Sequence, residues 1–258
     1  VTAGVPIVKT NGTGNEFVLV DERVTPVADP VAFAREVCDR ERGVGADGVL
    51  FVQASERFDA RLRIVNADGS DAEMCGNGMR CVGRYLDEHD GRAAATVETE
   101  AGPIGTRVLS RAPYRIAVEM GEPRIGLPHD VAGYRATPVD VGNPHVVIRV
   151  DDVRAIDLAV DGPRIEHDPR YPNRTNVHFV SRAGDGWRVR HWERGAGATQ
   201  ACGTGAVAVA AVLIASGDAT SPVSLRVPGG VLDVTWKPGG RATLAGDAVL
   251  EFERVVAA

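Results

Sequence analysis

Two cysteines of this chain stand in nearly the same phrase. Cys75-Gly76-Asn77-Gly78 opens one helix-like run, and Cys202-Gly203-Thr204-Gly205 opens another. Each phrase puts a thiol and glycine-rich backbone at a predicted helix N-terminus. There, unpaired N–H groups and the helix dipole favour a thiolate and can hold a carboxylate. Two thiols facing one carbon from opposite sides could remove a proton from one face and return one on the other, which is racemase or epimerase chemistry. An amino-acid Cα–H is weakly acidic, so its cleavage needs a tuned base, and each pKa unit of tuning is worth about 1.4 kcal/mol. The glycines have no Cβ, so Gly76, Gly78, Gly203 and Gly205 let a ligand approach the backbone closely. Their N–H groups could grip the α-carboxylate, where charge grows in the transition state. Reaction distances of ~3–3.5 Å from each sulfur to the carbon put the sulfurs ~6–7 Å apart. A disulfide, at ~2 Å, is then expected only in an oxidised, ligand-free and inactive state. Cys38 and Cys81 fall inside predicted helices and read as inert core residues.

Polar residues gather near the two phrases. Asn66-Ala67-Asp68-Gly69 lies upstream of Cys75, and Glu193-Arg194-Gly195 lies upstream of Cys202. Gly142-Asn143-Pro144-His145 follows a predicted strand, and Asn173-Arg174-Thr175-Asn176 opens another. Turn chemistry accounts for part of this pattern. A site for a doubly charged amino acid would use all of it, with amides and arginine for carboxylate and glutamate for ammonium.

The elements that must position these residues repeat. Cys202 follows Cys75 by 127 residues, and Asn143 follows Asn15 by 128. Asp47 to Phe51 lines up with Thr175 to Phe179 at 128, and Asn66 and Glu193 each precede their cysteine by nine. A shared offset over four segments points to internal duplication. Alternation predicts strands at Val18–Val20, Gly48–Val52, Leu62–Val65, Thr96–Thr99, Thr106–Leu109 and Tyr114–Met120. After Gly121 it predicts them at Val139–Val141, Val146–Val150, Asn176–Val180, Trp187–His191, Val223–Val227, Val231–Trp236 and Val249–Phe252. Pro30–Arg42 reads as an amphipathic helix with Asp29 as N-cap and Gly43 beyond its end. Gly78–Glu88 and Gly205–Ala215 read as helices that must be enclosed. The fold class expected is α+β: two pseudo-symmetric halves, each a curved, mostly antiparallel or mixed sheet around a central apolar helix, with the active site in the cleft between them. The halves are expected at 1–120 and 121–248. Residues 249–258 could return to the first half, and Gly121–Gly126 would serve as the hinge.

Composition narrows the function. Of 258 residues, 44% are hydrophobic and 25% charged, as in an ordinary globular protein. A net charge of -6 without a Lys/Arg cluster argues against nucleic acid as partner. Residues 1–9 do not read as a signal peptide. The longest apolar run, Ala206–Ala215, is far short of the ~20 residues of a membrane span. Four cysteines without a Cys-x-x-Cys suit neither a disulfide framework nor a zinc ribbon, so a reducing cytoplasm is the expected location. Lysine occurs only as Lys9, ending a predicted strand, and Lys237, in a predicted turn. Neither reads as the Schiff-base lysine of a pyridoxal phosphate enzyme.

Taken together, these phrases resemble the diaminopimelate epimerase family from end to end. Asn11-Gly-Thr-Gly-Asn15-Glu-Phe17 looks like its opening motif. Arg63-Ile-Val-Asn66-Ala-Asp-Gly-Ser70 with Met74-Cys75-Gly-Asn-Gly78 is similar to its first cysteine signature. Glu193-Arg-Gly-Ala-Gly197 with Thr199-Gln-Ala-Cys202-Gly-Thr-Gly205 resembles its second, and Gly142-Asn-Pro-His145 and Asn176 match two further landmarks. The resemblance implies Cys75 and Cys202 as the thiol/thiolate pair, with His145 and Glu193 in acid–base support. It implies Asn15, Asn66, Gly76, Asn77, Asn143, Asn176, Glu193, Arg194, Gly203 and Thr204 as substrate-binding residues. It further implies interconversion of LL- and meso-diaminopimelate for lysine and peptidoglycan precursors, no cofactor and no metal, and a possible homodimer. Other readings are a racemase of histidine or proline type and, more remotely, a non-catalytic thiol or binding protein. The chain departs from the family at Asn11, usually histidine, at Ala198, usually glutamate, and at Gly48, glutamine in some members.

Overall fold

The computed structural model describes residues 4–257, so the expectations for residues 1–3 and 258 lie outside the described residues. The chain divides into two compact units, Val1–Val118 with Gly246–Ala258 and Glu119–Ala245.

The first unit begins with β1 (Val5–Gly12), β2 (Asn15–Asp21), α1 (Pro30–Val37), β3 (Gly48–Gln53) and β4 (Ala60–Asn66). It continues with β5 (Asp71–Ala72), α2 (Gly76–Asp90), β6 (Ala94–Thr99), β7 (Gly102–Arg111) and β8 (Tyr114–Glu119). The second unit holds β9 (Arg124–Ile125), β10 (His129–Val131), β11 (Tyr134–Asp140), β12 (Pro144–Arg149), α3 (Leu158–Glu166), β13 (Asn176–Ala183) and β14 (Gly186–Glu193). β15 (Gly197–Thr199), α4 (Gly203–Ala215), β16 (Val223–Val227), β17 (Gly230–Thr235) and β18 (Thr243–Asp247) follow, and β19 (Val249–Val256) ends the chain. β19 pairs antiparallel with β1.

The two units share one strand pattern. β2 pairs parallel with β3, and β12 pairs parallel with β13. β4 pairs parallel with β6, and β14 with β16. β3–β4 and β13–β14 are antiparallel. Each sheet carries helices on both faces. On one face of the first, Phe33, Ala34 and Val37 of α1 pack with Val18, Val20, Val49, Phe51 and Val65. In the second, Leu158 and Ile165 of α3 pack with Val146, Ile148, Val177 and Phe179. Each such buried side chain contributes about 1.5–3 kcal/mol. The opposite faces receive α2 and α4. α4 is buried from Gly205 through Leu213, as its unbroken apolar sequence requires.

Three local expectations change. α1 stops at Val37, five residues early, because Asp39 accepts from the N–H groups of Glu41 and Arg42 and starts a turn instead. Asp29 does cap that helix, accepting from Val31 and Ala32. α3 went unread in the sequence, since Gly162-Pro163 looks like a break. Within the expected hinge, Arg124–Ile125 pairs with Val139–Asp140 as a short strand. No helix among the described residues is long and apolar enough to cross a membrane.

Candidate active site

Cys75 is the N-cap of α2, in extended backbone, so the N–H groups of the first turn at Gly76, Asn77 and Gly78 lack helical partners. Its Sγ lies 3.8 Å from Asn15 Oδ1. A directed row of hydrogen bonds fixes that oxygen. Arg80 Nη2 donates to Asn77 Oδ1 at 2.9 Å, Asn77 Nδ2 donates to Asn15 Oδ1 at 3.4 Å, and Asn15 Nδ2 donates to Asp47 Oδ2 at 2.6 Å. A guanidinium only donates and a carboxylate only accepts, so both amides are oriented from the two ends. Arg80 is fully buried, and it also donates to Thr13 Oγ1 at 2.8 Å and to the Asp247 carbonyl at 3.0 Å. Burial lowers its pKa. Asn66, expected to bind substrate, spends its Nδ2 on Ser70 Oγ at 2.9 Å within its own turn. Cys38 and Cys81 are the inert thiols expected, each pushed up to about 11 by burial.

Cys202 is likewise the N-cap of α4 in extended backbone, but unlike Cys75 its sulfur makes a capping bond, accepting from Gly205 N at 3.3 Å, with Thr204 Oγ1 at 3.7 Å. The sequence predicts a lowered thiol pKa here, and the structure gives the reverse. Burial drives the Cys202 pKa well above the usual range, the Glu193 carboxylate adds to it, and the Gly205 N–H opposes without prevailing. Burial and Glu193 thus favour the thiol form of Cys202. Burial also raises the Glu193 carboxyl, against its hydrogen bonds with Thr199 and Cys202. Thr199 Oγ1 donates to Glu193 Oε1 at 2.6 Å. Glu193→Gln removes the repelling charge and is expected to lower the Cys202 pKa. Thiolate at about pH 8 then rises, roughly tenfold for each pKa unit. Alkylation of the Cys202 peptide, followed by mass spectrometry, should quicken to match. An unchanged or slower rate contradicts the assignment.

His145 is buried and bonded on both nitrogens, Nε2 to Asn143 Oδ1 at 2.7 Å and Nδ1 to His178 Nε2 at 2.8 Å. His178 Nδ1 in turn meets His191 Nδ1 at 2.8 Å. His145, His178 and Cys202 bring potential ligand atoms within 4.8 Å of one another. The facing nitrogens share one proton at hydrogen-bond distance, whereas two lone pairs on a tetrahedral ion would stand ~3.3 Å apart at metal–nitrogen bonds of ~2.0 Å. As built, this is a hydrogen-bonded row rather than a metal centre. Asn176 is buried, and its amide ties two loops together, donating to the Pro144 carbonyl at 2.8 Å and accepting from Arg194 N at 3.0 Å. The Arg194 side chain is exposed and donates to the Asn173 carbonyl at 3.0 Å.

The first unit thus gathers Cys75, Gly76, Asn77 and Asn15, with Asn66 held in its turn. The second gathers Cys202, Gly203, Thr204, Glu193, His145 and Asn143, with Asn176 bracing Arg194. Sequence reasoning missed Arg80, Asp47, Thr199, His178 and His191. A visible signal for His178 is a polar residue at an inward position of the apolar run Val177 to Val180. The three departures also have places. Asn11 Oδ1 accepts from Gly14 N and closes the first turn. Gly48 sits between Phe17 and Asn66 in the sheet. Ala198 pairs with Trp192, on the face away from Glu193 and Thr199, so the carboxylate at the thiol is supplied by Glu193.

The family profile described as Diaminopimelate epimerase matches residues 7–126 and 137–251. The chain is 42% identical over 270 residues to a diaminopimelate epimerase of Magnetococcus marinus, covering 96% of each sequence. It is 39% identical over 268 residues to one from Phocaeicola vulgatus, covering 95% of each. Its fold is similar to a crystal structure of a phenazine biosynthesis protein of the PhzF family from Bacillus anthracis, with a TM-score of 0.74, 17% identity, and 99% and 100% of the two chains covered. With a profile match over residues 7–126 and 137–251 and relatives about 40% identical over nearly its whole length, this chain belongs to the diaminopimelate epimerase family.

Proposed function

We propose that this protein interconverts LL-2,6-diaminopimelate and meso-diaminopimelate by proton transfer at Cα, without a cofactor, with Cys75 and Cys202 as the acid–base pair. The observation that carries this is one strand–helix frame built twice with a thiol at the same corner, in a chain of this family. One cysteine enters each turnover as thiolate and the other as thiol, and the stereoisomer bound decides which is which. In one direction Cys75 thiolate takes the Cα proton, the electron pair passes to Cα and its carboxylate, and the Cys202 S–H delivers a proton to the opposite face; in the other direction the two roles exchange. The cysteines then hold exchanged protonation states and reset through solvent. The first-turn N–H groups of α2 and α4 receive the carboxylate at the reacting centre, with Asn15, Asn77, Asn143 and Thr204 around it. Glu193 keeps the Cys202 proton in place, His145 assists, and Arg194, whose loop Asn176 braces, serves the distal carboxylate, while Asn66 holds its own turn.

The same reading takes the protein as a homodimer of the cytoplasm. Exposed apolar side chains on β19 at Val249, Phe252 and Val255 are the kind of surface a second copy covers. The test of function is a substrate panel read by chiral chromatography: LL-diaminopimelate, lysine, histidine, proline and 4-hydroxyproline. Conversion of diaminopimelate alone is expected. Conversion of proline or histidine in its place would reassign the substrate.

A further inference from the structure

The duplicated frame holds different chemistry under its two thiols. In the first unit, Phe17 stands two residues after Asn15, Leu50 lies on the neighbouring strand β3, and Ile64 pairs with Leu50 on β4. All three are buried. In the second unit the same places hold His145, two residues after Asn143, then His178 on β13, and His191 paired with His178 on β14. These also are buried. Leu50 and His178 lie under corresponding glycines: a Cβ on Gly78 would meet Leu50 Cδ2 at 2.8 Å, and one on Gly205 would meet His178 Cε1 at 2.3 Å. The frame therefore folds around three apolar side chains in one unit, so fold alone does not call for three imidazoles in the other.

Their hydrogen bonds have one favoured direction. The row runs Asn143 Oδ1, His145, His178, His191, and ends at His191 Nε2, which is buried with no hydrogen-bond partner. If Asn143 accepts, His145 carries its proton on Nε2, His178 on Nε2 and His191 on Nδ1, and the orphan is a lone pair. If the row is reversed, the orphan is a buried N–H, the rarer and costlier kind. Burial holds all three imidazoles neutral, which such a row requires.

We propose that His178 and His191 are positioning residues that lock His145 in the Nε2–H tautomer on Asn143, and so turn the Asn143 Nδ2 away from the row as a hydrogen-bond donor to substrate. This rests on the epimerase reading for its substrate. An imidazole's tautomer is set by the bond its other nitrogen makes, and here that bond is supplied two residues deep.

The test is long-range 1H–15N NMR of the full chain, with kinetics on a double variant, His178→Leu with His191→Ile, that copies the first unit's solution. Wild type should show His145 and His178 protonated at Nε2 and His191 at Nδ1. The variant should fold and lose the single His145 tautomer, and its kcat/KM for diaminopimelate should fall roughly ten- to a hundredfold, the range for removing a group that orients a functional imidazole. A wild-type His145 protonated at Nδ1 overturns the proposal whether or not the variant folds. A folded variant with full activity also overturns it. Wild type with the expected tautomers but no turnover of diaminopimelate refutes the epimerase reading instead, and the spectrum still bears out the row.

Discussion

Replacing either catalytic cysteine by alanine is expected to lower kcat/KM for epimerisation of diaminopimelate by roughly a thousandfold, within the range for loss of a positioned acid or base. The two variants should differ in what survives. Burial and Glu193 oppose the ionisation of Cys202. Each single variant keeps one thiol and should still exchange the Cα proton of one stereoisomer slowly, with retention, and the stereoisomer should differ between the two variants. The residual exchange of Cys75→Ala should be slow, because it relies on Cys202, whose ionisation burial and Glu193 oppose. Isotope exchange for each stereoisomer separates the cases, and activity above about a tenth of wild type in either variant would contradict a two-thiol mechanism. The helix N-terminus predicts a thiolate at both positions, yet at Cys202 it is outweighed, because one N–H···S bond offsets neither the loss of water nor a carboxylate in contact.

The second large effect is acid lability of the second unit. Burial depresses His145 and His191 to about 3, from 6.5, and holds His178 well below 6.5. Below 6.5 the unfolded chain takes up protons that the folded one refuses. Stability is thus complete above 6.5 and is lost as pH falls toward 3. Each imidazole costs about 1.4 kcal/mol per pH unit, so three cost about 4 kcal/mol per unit. Against a domain stability of about 5–15 kcal/mol, unfolding is expected near pH ~4–5. Urea unfolding followed by circular dichroism at several pH values would show it, and stability that stays flat from about 6.5 down to 5 would contradict it. The His178→Leu, His191→Ile variant, with one imidazole left, should keep about a third of the slope.

Much of this was legible in the sequence because it is local. Cys75 and Cys202 advertise themselves by glycines and an apolar run, and Asp29 by its place before Pro30. The shared offset exposed the duplication, and with it the paired frames. The rest depends on contacts distant in sequence. Arg80 sits inside α2, and nothing in the neighbouring sequence marks it. Only the fold shows it fully buried, orienting Asn77 and Asn15 from a partner as remote as Asp247. Asn176 looks like a ligand residue, while its amide is committed to Pro144 and Arg194. Ala198 looks like a missing carboxylate beside the thiol, and strand alternation turns it to the other face. His145 and His191 lie 46 positions apart in the chain, and only the register of β12, β13 and β14 sets the three histidines in a row.

The central claim is that two thiols serve opposite faces of one carbon, and its most direct test is epimerisation in deuterium oxide. LL-diaminopimelate is incubated with the reduced enzyme, stopped at low conversion, and both stereoisomers are separated and weighed by mass spectrometry. The account predicts one deuterium at the inverted Cα of the meso product and none in the remaining LL substrate, because the proton removed and the proton delivered belong to different sulfurs. Meso product without deuterium, or equal labelling of product and recovered substrate, would mean that a single group handles both protons and would contradict it.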